Sequence, residues 1–382
     1  MRLTLLIAVV IGMHVWPQND YFQFTNGATA DERFAIAGSG DPVLLPVTVA
    51  EKNYTFILDT SASHHVFDRS ILADLGNVVG EATGGSPENM NTKALVVNAP
   101  TFRVGGLVIA ECGKCAVLDL GMFRRGIGED VHGVLGSSFL LQGLVTIDPD
   151  AGSLSVVPRN HDVSSFGTPE TIRVDDRGAI WVDGVHIGQR TESFTLATAV
   201  GPSIRVHKWL FDRLDADGQL TSRGTFSLSN ISGHRTQRWG RLAKFRWGND
   251  EHQNLIVYEG SSNLIGMGLL SRYVVTFDVE GNRVYLKTGR RFGKPDYVNQ
   301  TGLHVEFADG AFRVESVDIG SPAEQADIRP GDQLSQLNGK PCREMRLLNV
   351  LRQLEESSGT ELNVEIFRGE RTQTTIVKVP NE

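Results

Sequence analysis

The chain repeats itself. Val134-Leu135-Gly136 leads through Ser137 and Phe139 to Val145-Thr146-Ile147-Asp148, and Leu264-Ile265-Gly266 leads through Met267 and Leu269 to Val275-Thr276-Phe277-Asp278, the two runs aligning without a gap. Each continues through a turn, Asp150-Ala151-Gly152 or Glu280-Gly281-Asn282, into the alternating segments Leu154-Ser155-Val156 and Val284-Tyr285-Leu286, which have the period of strands. Internal repetition of this kind restricts the fold more than composition does. Residues from about 40 to 158 and from about 168 to 288 therefore read as two copies of one β-rich unit.

An earlier segment is duplicated as well. Phe56-Ile57-Leu58 followed by Asp59-Thr60-Ser61-Ala62 places one carboxylate on a tight turn at the end of a buried strand. The later copy, Phe194-Thr195-Leu196-Ala197-Thr198-Ala199, carries alanine where the partner aspartate would stand. Taken alone, Asp-Thr-Ser is ordinary turn chemistry, in which the side chain bonds its own backbone neighbours.

Turn, Gly136 stretch and repeat together resemble the pepsin and retropepsin superfamily of aspartic peptidases. There each lobe has a hydrophobic-hydrophobic-Asp-Thr/Ser-Gly turn with a hydrophobic-hydrophobic-Gly stretch packed beneath it. The first copy matches in Leu58-Asp59-Thr60 and Gly133-Val134-Leu135-Gly136; Ser61 stands where glycine is usual, and its Cβ is expected to disturb a backbone geometry that glycine accepts freely. The resemblance implies Asp59 as the catalytic residue, with Thr60 and Ser61 in its turn and Ala197 at the degenerate partner position. In such a peptidase two carboxylates at ~3 Å share a proton, one acting on water while the other polarises the scissile carbonyl. Without the second, the hydroxyls of Thr198 and Ser203 are poor substitutes for an acid poised to titrate.

From about residue 299 the character changes. Val314-Glu315-Ser316-Val317, Gly320-Ser321-Pro322-Ala323-Glu324, Arg329-Pro330-Gly331-Asp332 and Leu337-Asn338-Gly339-Lys340, preceded by Gly302-Leu303-His304-Val305, resemble a PDZ domain. Ser321 and Glu324 form a capping box with proline at the first helical position. Asn338-Gly339 is a two-residue hairpin turn, and Leu347, Leu348, Leu351 and Leu354 give a helix its apolar stripe. Asp327 occupies the usual place of a helix-ending glycine. The resemblance implies that the amides of the loop Gly302, Leu303, His304 and Val305 receive a peptide carboxylate while the peptide adds a strand to the sheet edge.

The remaining features set bounds. A length of 382 residues calls for two or three domains, and a net charge of −8 argues against nucleic acid as a partner. The basic stretch from His234 to Trp247 reads as a hairpin whose Lys244-Phe245-Arg246-Trp247 alternation leaves one wet face. Arg2 and the apolar run Leu3 to Met13 read as a signal peptide or an N-terminal anchor, with Ala28-Thr29-Ala30 as a distant cleavage candidate. Cys112 and Cys115 are a local disulfide or two small buried residues, and Cys342 is a buried thiol. His64, His65 and His132 take ordinary polar roles; no metal site and no cofactor is expected.

The expected fold is mainly β: two pepsin/retropepsin-like barrel lobes with a cleft between them, at residues 31–160 and 161–290, then an α+β PDZ domain at 298–382, behind a signal or anchor at 1–30. Two functions fit. One is an exported (periplasmic or extracellular) protein, membrane-attached only if the N-terminal anchor is kept, that binds protein or peptide C-termini or unstructured segments and is catalytically impaired. The other is an active aspartic endopeptidase whose PDZ domain recruits substrate.

Overall fold

The computed structural model describes residues 27–38, 40–62, 64–86, 89–110, 113–230 and 233–381. The apolar run Leu3 to Met13 and Cys112 lie outside the described residues. The architecture is mainly β, with five α-helices among the described residues: α1 Gly121–Ile127, α2 Lys208–Ala216, α3 Met267–Leu270, α4 Pro322–Gln325 and α5 Leu347–Glu355.

The first lobe is a nine-stranded sheet, ordered Val78–Ser86, Asn89–Asn98, Lys114–Leu118, Val66–Asp68, Val131–Leu135, Lys52–Leu58, Leu44–Val49, Phe102–Val104 and Leu107–Ile109. Its inner strand Lys52–Leu58 ends in Phe56-Ile57-Leu58, buried on both faces, as the continuous apolar run requires. Strand Lys52–Leu58 runs parallel to Val131–Leu135, with Leu58 opposite Leu135, and Val131–Leu135 is antiparallel to Val66–Asp68. The second lobe repeats this order: Leu220–Asn230, Gly233–Leu242, Leu255–Gly260, Ile204–His207, Leu264–Gly266, Arg190–Ala197 and Ile180–Ile187, with Phe245–Trp247 and Asp250–His252 attached to Ile180–Ile187. Arg190–Ala197 runs parallel to Leu264–Gly266, with Ala197 opposite Gly266.

A shared sheet joins the lobes. Its six strands run Glu32–Ala35, Ser153–Val157, Leu144–Asp148, Tyr273–Asp278, Arg283–Thr288 and Thr168–Val174. The middle pair brings equivalent positions of the two copies together: Thr146 lies opposite Thr276, and their hydroxyls are 2.9 Å apart. A pseudo-two-fold axis therefore passes between these threonines.

The C-terminal unit has its own core, built on Leu303, Val305, Val314, Leu337, Val350, Leu354 and Ile366 among others. Its strands are ordered Leu303–Ala308, Ala311–Val317, Gln333–Leu337, Glu361–Arg368 and Arg371–Lys378, with Lys340–Pro341 beside Gln333–Leu337. Asn338 (φ 52°) and Gly339 (φ 77°) make the expected left-handed turn. Ser321 caps α4 by accepting from the Glu324 N–H at 3.2 Å. The return bond of the box is displaced by one residue: Glu324 Oε2 accepts from the Gly320 N–H at 2.7 Å, so the carboxylate satisfies the amide just before the cap. Asp327 takes φ 58° in place of glycine, and its carboxylate accepts from Arg329 Nε at 2.9 Å and Arg368 Nη1 at 3.0 Å.

This unit rests on lobe one. α1 lies against the strand Leu303–Ala308. Arg346 Nε is 2.6 Å from Glu129 Oε1, and Arg346 and Arg352 of the α5 region both reach Asp41. Burial pushes the Asp41 carboxyl above its ordinary range, outweighing the pull of Arg352, Arg346 and Arg291.

Candidate functional site

Asp59 sits where the strand Lys52–Leu58 of lobe one meets the seam between the lobes, and it is 1% exposed. Its N–H donates to the Leu135 carbonyl at 2.9 Å, which ties the turn to the strand beneath. Its Oδ1 accepts from the Ser61 N–H at 2.9 Å and from the Ser61 hydroxyl at 2.6 Å. Ser61 does not disturb the turn in the way expected of a Cβ, since the described residues of positive φ do not include it. The conformation here does not demand glycine, and the serine hydroxyl adds a hydrogen bond to the carboxylate.

Gly136 explains why the stretch under the turn ends in glycine. A Cβ there would come within 2.6 Å of the His64 carbonyl oxygen and 2.9 Å of the Ala62 oxygen. Gly266 repeats the constraint in lobe two, where a Cβ would meet the Pro202 and Val200 oxygens at 2.2 and 2.4 Å. Such approaches to backbone exclude every side chain. His65, fully buried, accepts from the Gly136 N–H at Nδ1 (3.0 Å), which leaves Nε2 to donate to Ser138 Oγ at 3.3 Å. His64 is half-buried, and His132 packs its ring 5.0 Å from that of Tyr54.

The lobes exchange hydrogen bonds through two threonines. Thr60 Oγ1 donates to the Leu196 carbonyl at 2.7 Å and accepts from the Thr198 N–H at 3.2 Å. Thr198 Oγ1 donates to the Leu58 carbonyl at 2.6 Å and accepts from the Thr60 N–H at 3.1 Å. Both threonines are fully buried, so each bond satisfies a backbone group that water does not reach. The exchange makes Ala197 the counterpart of Asp59 in space as well as in sequence. Ala197 is 0% exposed, and its methyl packs with Val200 and Leu264.

Thr198 is the residue whose part sequence reasoning missed. The signal was present: threonine follows the Asp59 position in one copy and the Ala197 position in the other. The two lobes also differ on the sheet face beside the turn. Lobe one presents Ile57, Ala62, Val66, Ala94 and Ala116 there; by register the same places in lobe two are Thr195, Val200, Arg205, Gln237 and Tyr258. Asp68, at the end of the neighbouring strand, would be raised by burial, but bonds from Ser70, the Leu120 N–H and Arg124 hold its carboxyl below the ordinary range.

In the C-terminal unit Gly302 has φ 68°, and a Cβ on it would strike Ser321. Leu303 and Val305 point into the core. His304 is buried with Nε2 3.1 Å from Asp318 Oδ1. The Leu303 N–H donates to Thr301 Oγ1 at 3.0 Å, so a carboxylate at this loop must displace a hydroxyl to use that amide. The strand Leu303–Ala308 is the edge of its sheet, with α5 beside it. These four residues and the Asp59 turn form separate sites.

Away from the two sites, Phe245 and Trp247 are buried with Arg246 between them half-buried, in a hairpin with Asp250–His252. Arg238 pairs with Glu259 at 2.6 Å and Asp212 at 2.5 Å, and Lys244 with Glu251 at 2.6 Å, so these cations of the basic stretch are partnered within the lobe. Cys115 and Cys342 are buried, and burial pushes the Cys342 thiol up to about 12. Among the described residues no group of three His, Cys, Asp or Glu is placed to hold a metal ion, and no helix is long and apolar enough to cross a membrane.

Comparison with known proteins covers most of lobe one and part of the C-terminal unit. Residues 45–139 match the family described as aspartyl protease, and residues 313–368 match the PDZ domain family. A stretch of 67 residues, 18% of this chain, is 36% identical to the carboxy-terminal processing protease CtpA of Bacillus subtilis (strain 168). That stretch takes in 14% of the relative's own length. The chain thus carries a retropepsin-like aspartyl protease domain at residues 45–139 and a PDZ domain at residues 313–368.

Proposed function

We propose that this is an exported peptide- and protein-binding protein built on an aspartic-peptidase fold, with its peptidase chemistry lost or severely reduced. One observation carries the reading: the threonine exchange aligns the lobes as a paired-carboxylate site needs, and the buried methyl of Ala197 stands at the second carboxylate's place. A lone carboxylate still orients a water by accepting from it, but Ala197 offers no acid to polarise a carbonyl. Binding then falls to the PDZ domain, whose edge strand and loop amides suit an extended peptide with a free C-terminus. The N-terminal apolar run supports export.

The test is cleavage of unfolded casein by the full chain across about pH 3 to 7, where a carboxylate dyad titrates. No turnover above that of Asp59→Asn is expected. Turnover that disappears in Asp59→Asn would restore the endopeptidase, with the PDZ domain as its recruiter. Fractionation of cells producing the whole chain tests export, and retention in the cytosol would overturn that part.

A further inference from the structure

We propose that lobe one closes the peptide groove of the PDZ domain: α1 and the following Gly128-Glu129 segment cover the opening between the strand Leu303–Ala308 and α5, so an incoming peptide must first displace them. The inference rests on reading that groove as a peptide site. The strand Leu303–Ala308 is bonded to Ala311–Val317 on one side, and no strand among the described residues pairs with its other side. An added peptide strand needs that free edge. α1 lies against this strand instead.

Contacts at both walls hold it there. On the strand side Arg125 Nε is 3.6 Å from Glu306 Oε2. On the helix side the approach at Gly128 is so close that a Cβ would lie 2.6 Å from Leu347 Cβ at the start of α5. Glu129 then pairs with Arg346 at 2.6 Å. The cover belongs firmly to lobe one: Ile127 and Leu120 are buried in that lobe's cluster, while Arg124 pairs with Asp68 at 2.9 Å and donates to the Val131 carbonyl at 3.0 Å. Val131 opens the strand whose Leu135 carbonyl receives the Asp59 N–H. Opening the groove therefore means parting the PDZ domain from lobe one, with α1 kept in its place beside the Asp59 strand.

The latch is breakable. Arg125, Arg346 and Glu129 are each partly exposed, and exposed ion pairs contribute little apiece. A closed state lowers apparent affinity by the fraction of molecules that are open. Loosening the cover should tighten peptide binding even though no groove residue is changed.

The experiment compares the full wild-type chain, the doubly reversed variant R125E/E129R and the pair-swapped variant R125E/E306R. The probe is an array of random decapeptides with free C-termini, and hydrogen exchange is followed at residues 303–308. With the fold verified by near-ultraviolet dichroism, R125E/E129R should bind its best peptides about tenfold more tightly than wild type. It should also exchange faster at 303–308 without peptide, while R125E/E306R, which restores the pair but alters the groove strand and is therefore read by exchange alone, exchanges as wild type does. Equal binding by wild type and R125E/E129R, or unchanged exchange at 303–308, would overturn the closure and leave the groove reading intact. Faster exchange in R125E/E129R with no peptide bound by any variant would overturn the groove reading and the closure with it.

Discussion

Thr198 shows how much a single hydroxyl holds when both of its bonds cross between lobes. Thr198→Val keeps the shape but leaves the Thr60 N–H and the Leu58 carbonyl without their partners. At about 1–3 kcal/mol for each buried group so stranded, thermal or urea unfolding should register a large loss, and a change under about 1 kcal/mol would show that water replaces the hydroxyl. Ala197→Asp asks the complementary question. A second carboxylate beside Asp59 raises the pKa of one member of the pair. A raised carboxyl pKa stabilises the folded form below it and loses that contribution as pH rises through it. Relative to wild type, Ala197→Asp should therefore be weaker at neutral pH than at about pH 4, by about 1.4 kcal/mol for every tenfold gain in the carboxylate's affinity for its proton. A pH-independent difference would mean the two side chains do not meet.

At the scale of the element, the glycines beneath the turns separate space from conformation. Gly266→Ala drives a methyl into the Pro202 and Val200 carbonyl oxygens and should cost roughly 3–5 kcal/mol. Gly320→Ala has open space but φ 76°, so about 1 kcal/mol of backbone strain is expected. Equal losses in thermal unfolding would contradict that distinction. Ser321→Ala removes the cap of α4 and should cost about 1 kcal/mol by the same measurement. These elements were legible because they rest on local chemistry: the repeat carries the strand order from one lobe to the other, and Asn338-Gly339 and Ser321-Pro322 announce their turn and helix start. The threonine exchange was legible only as an unexplained repeated residue. The contacts of Asp41 and Glu129 with Arg346 and Arg352 were not legible at all, since charges far apart in the chain leave no period for a sequence to display.

Over the whole molecule, one response to acid comes from a buried histidine of lobe two. His252 of lobe two is 3% exposed, its Nε2 2.6 Å from the Tyr273 hydroxyl, and burial with the nearby Arg272 lowers its pKa to about 4. The unfolded chain protonates this histidine near 6.5. Its contribution, on the order of 3 kcal/mol, is present above that value and fades as pH falls towards 4. His252→Gln should flatten the loss of stability between about pH 6.5 and 4 in a pH-resolved denaturation series, and an unchanged slope would assign the acid sensitivity to other groups. A fold of this kind would lose stability across part of the range where an acid protease works. The threonine exchange carries a consequence of another kind. Because the bonds that join the lobes belong to the residues after Asp59 and Ala197, and not to those two side chains, a lineage could discard the acid and inherit the architecture unchanged. Alanine and aspartate codons can differ at the middle base alone, so the route back stays open to mutation for as long as the threonines are kept.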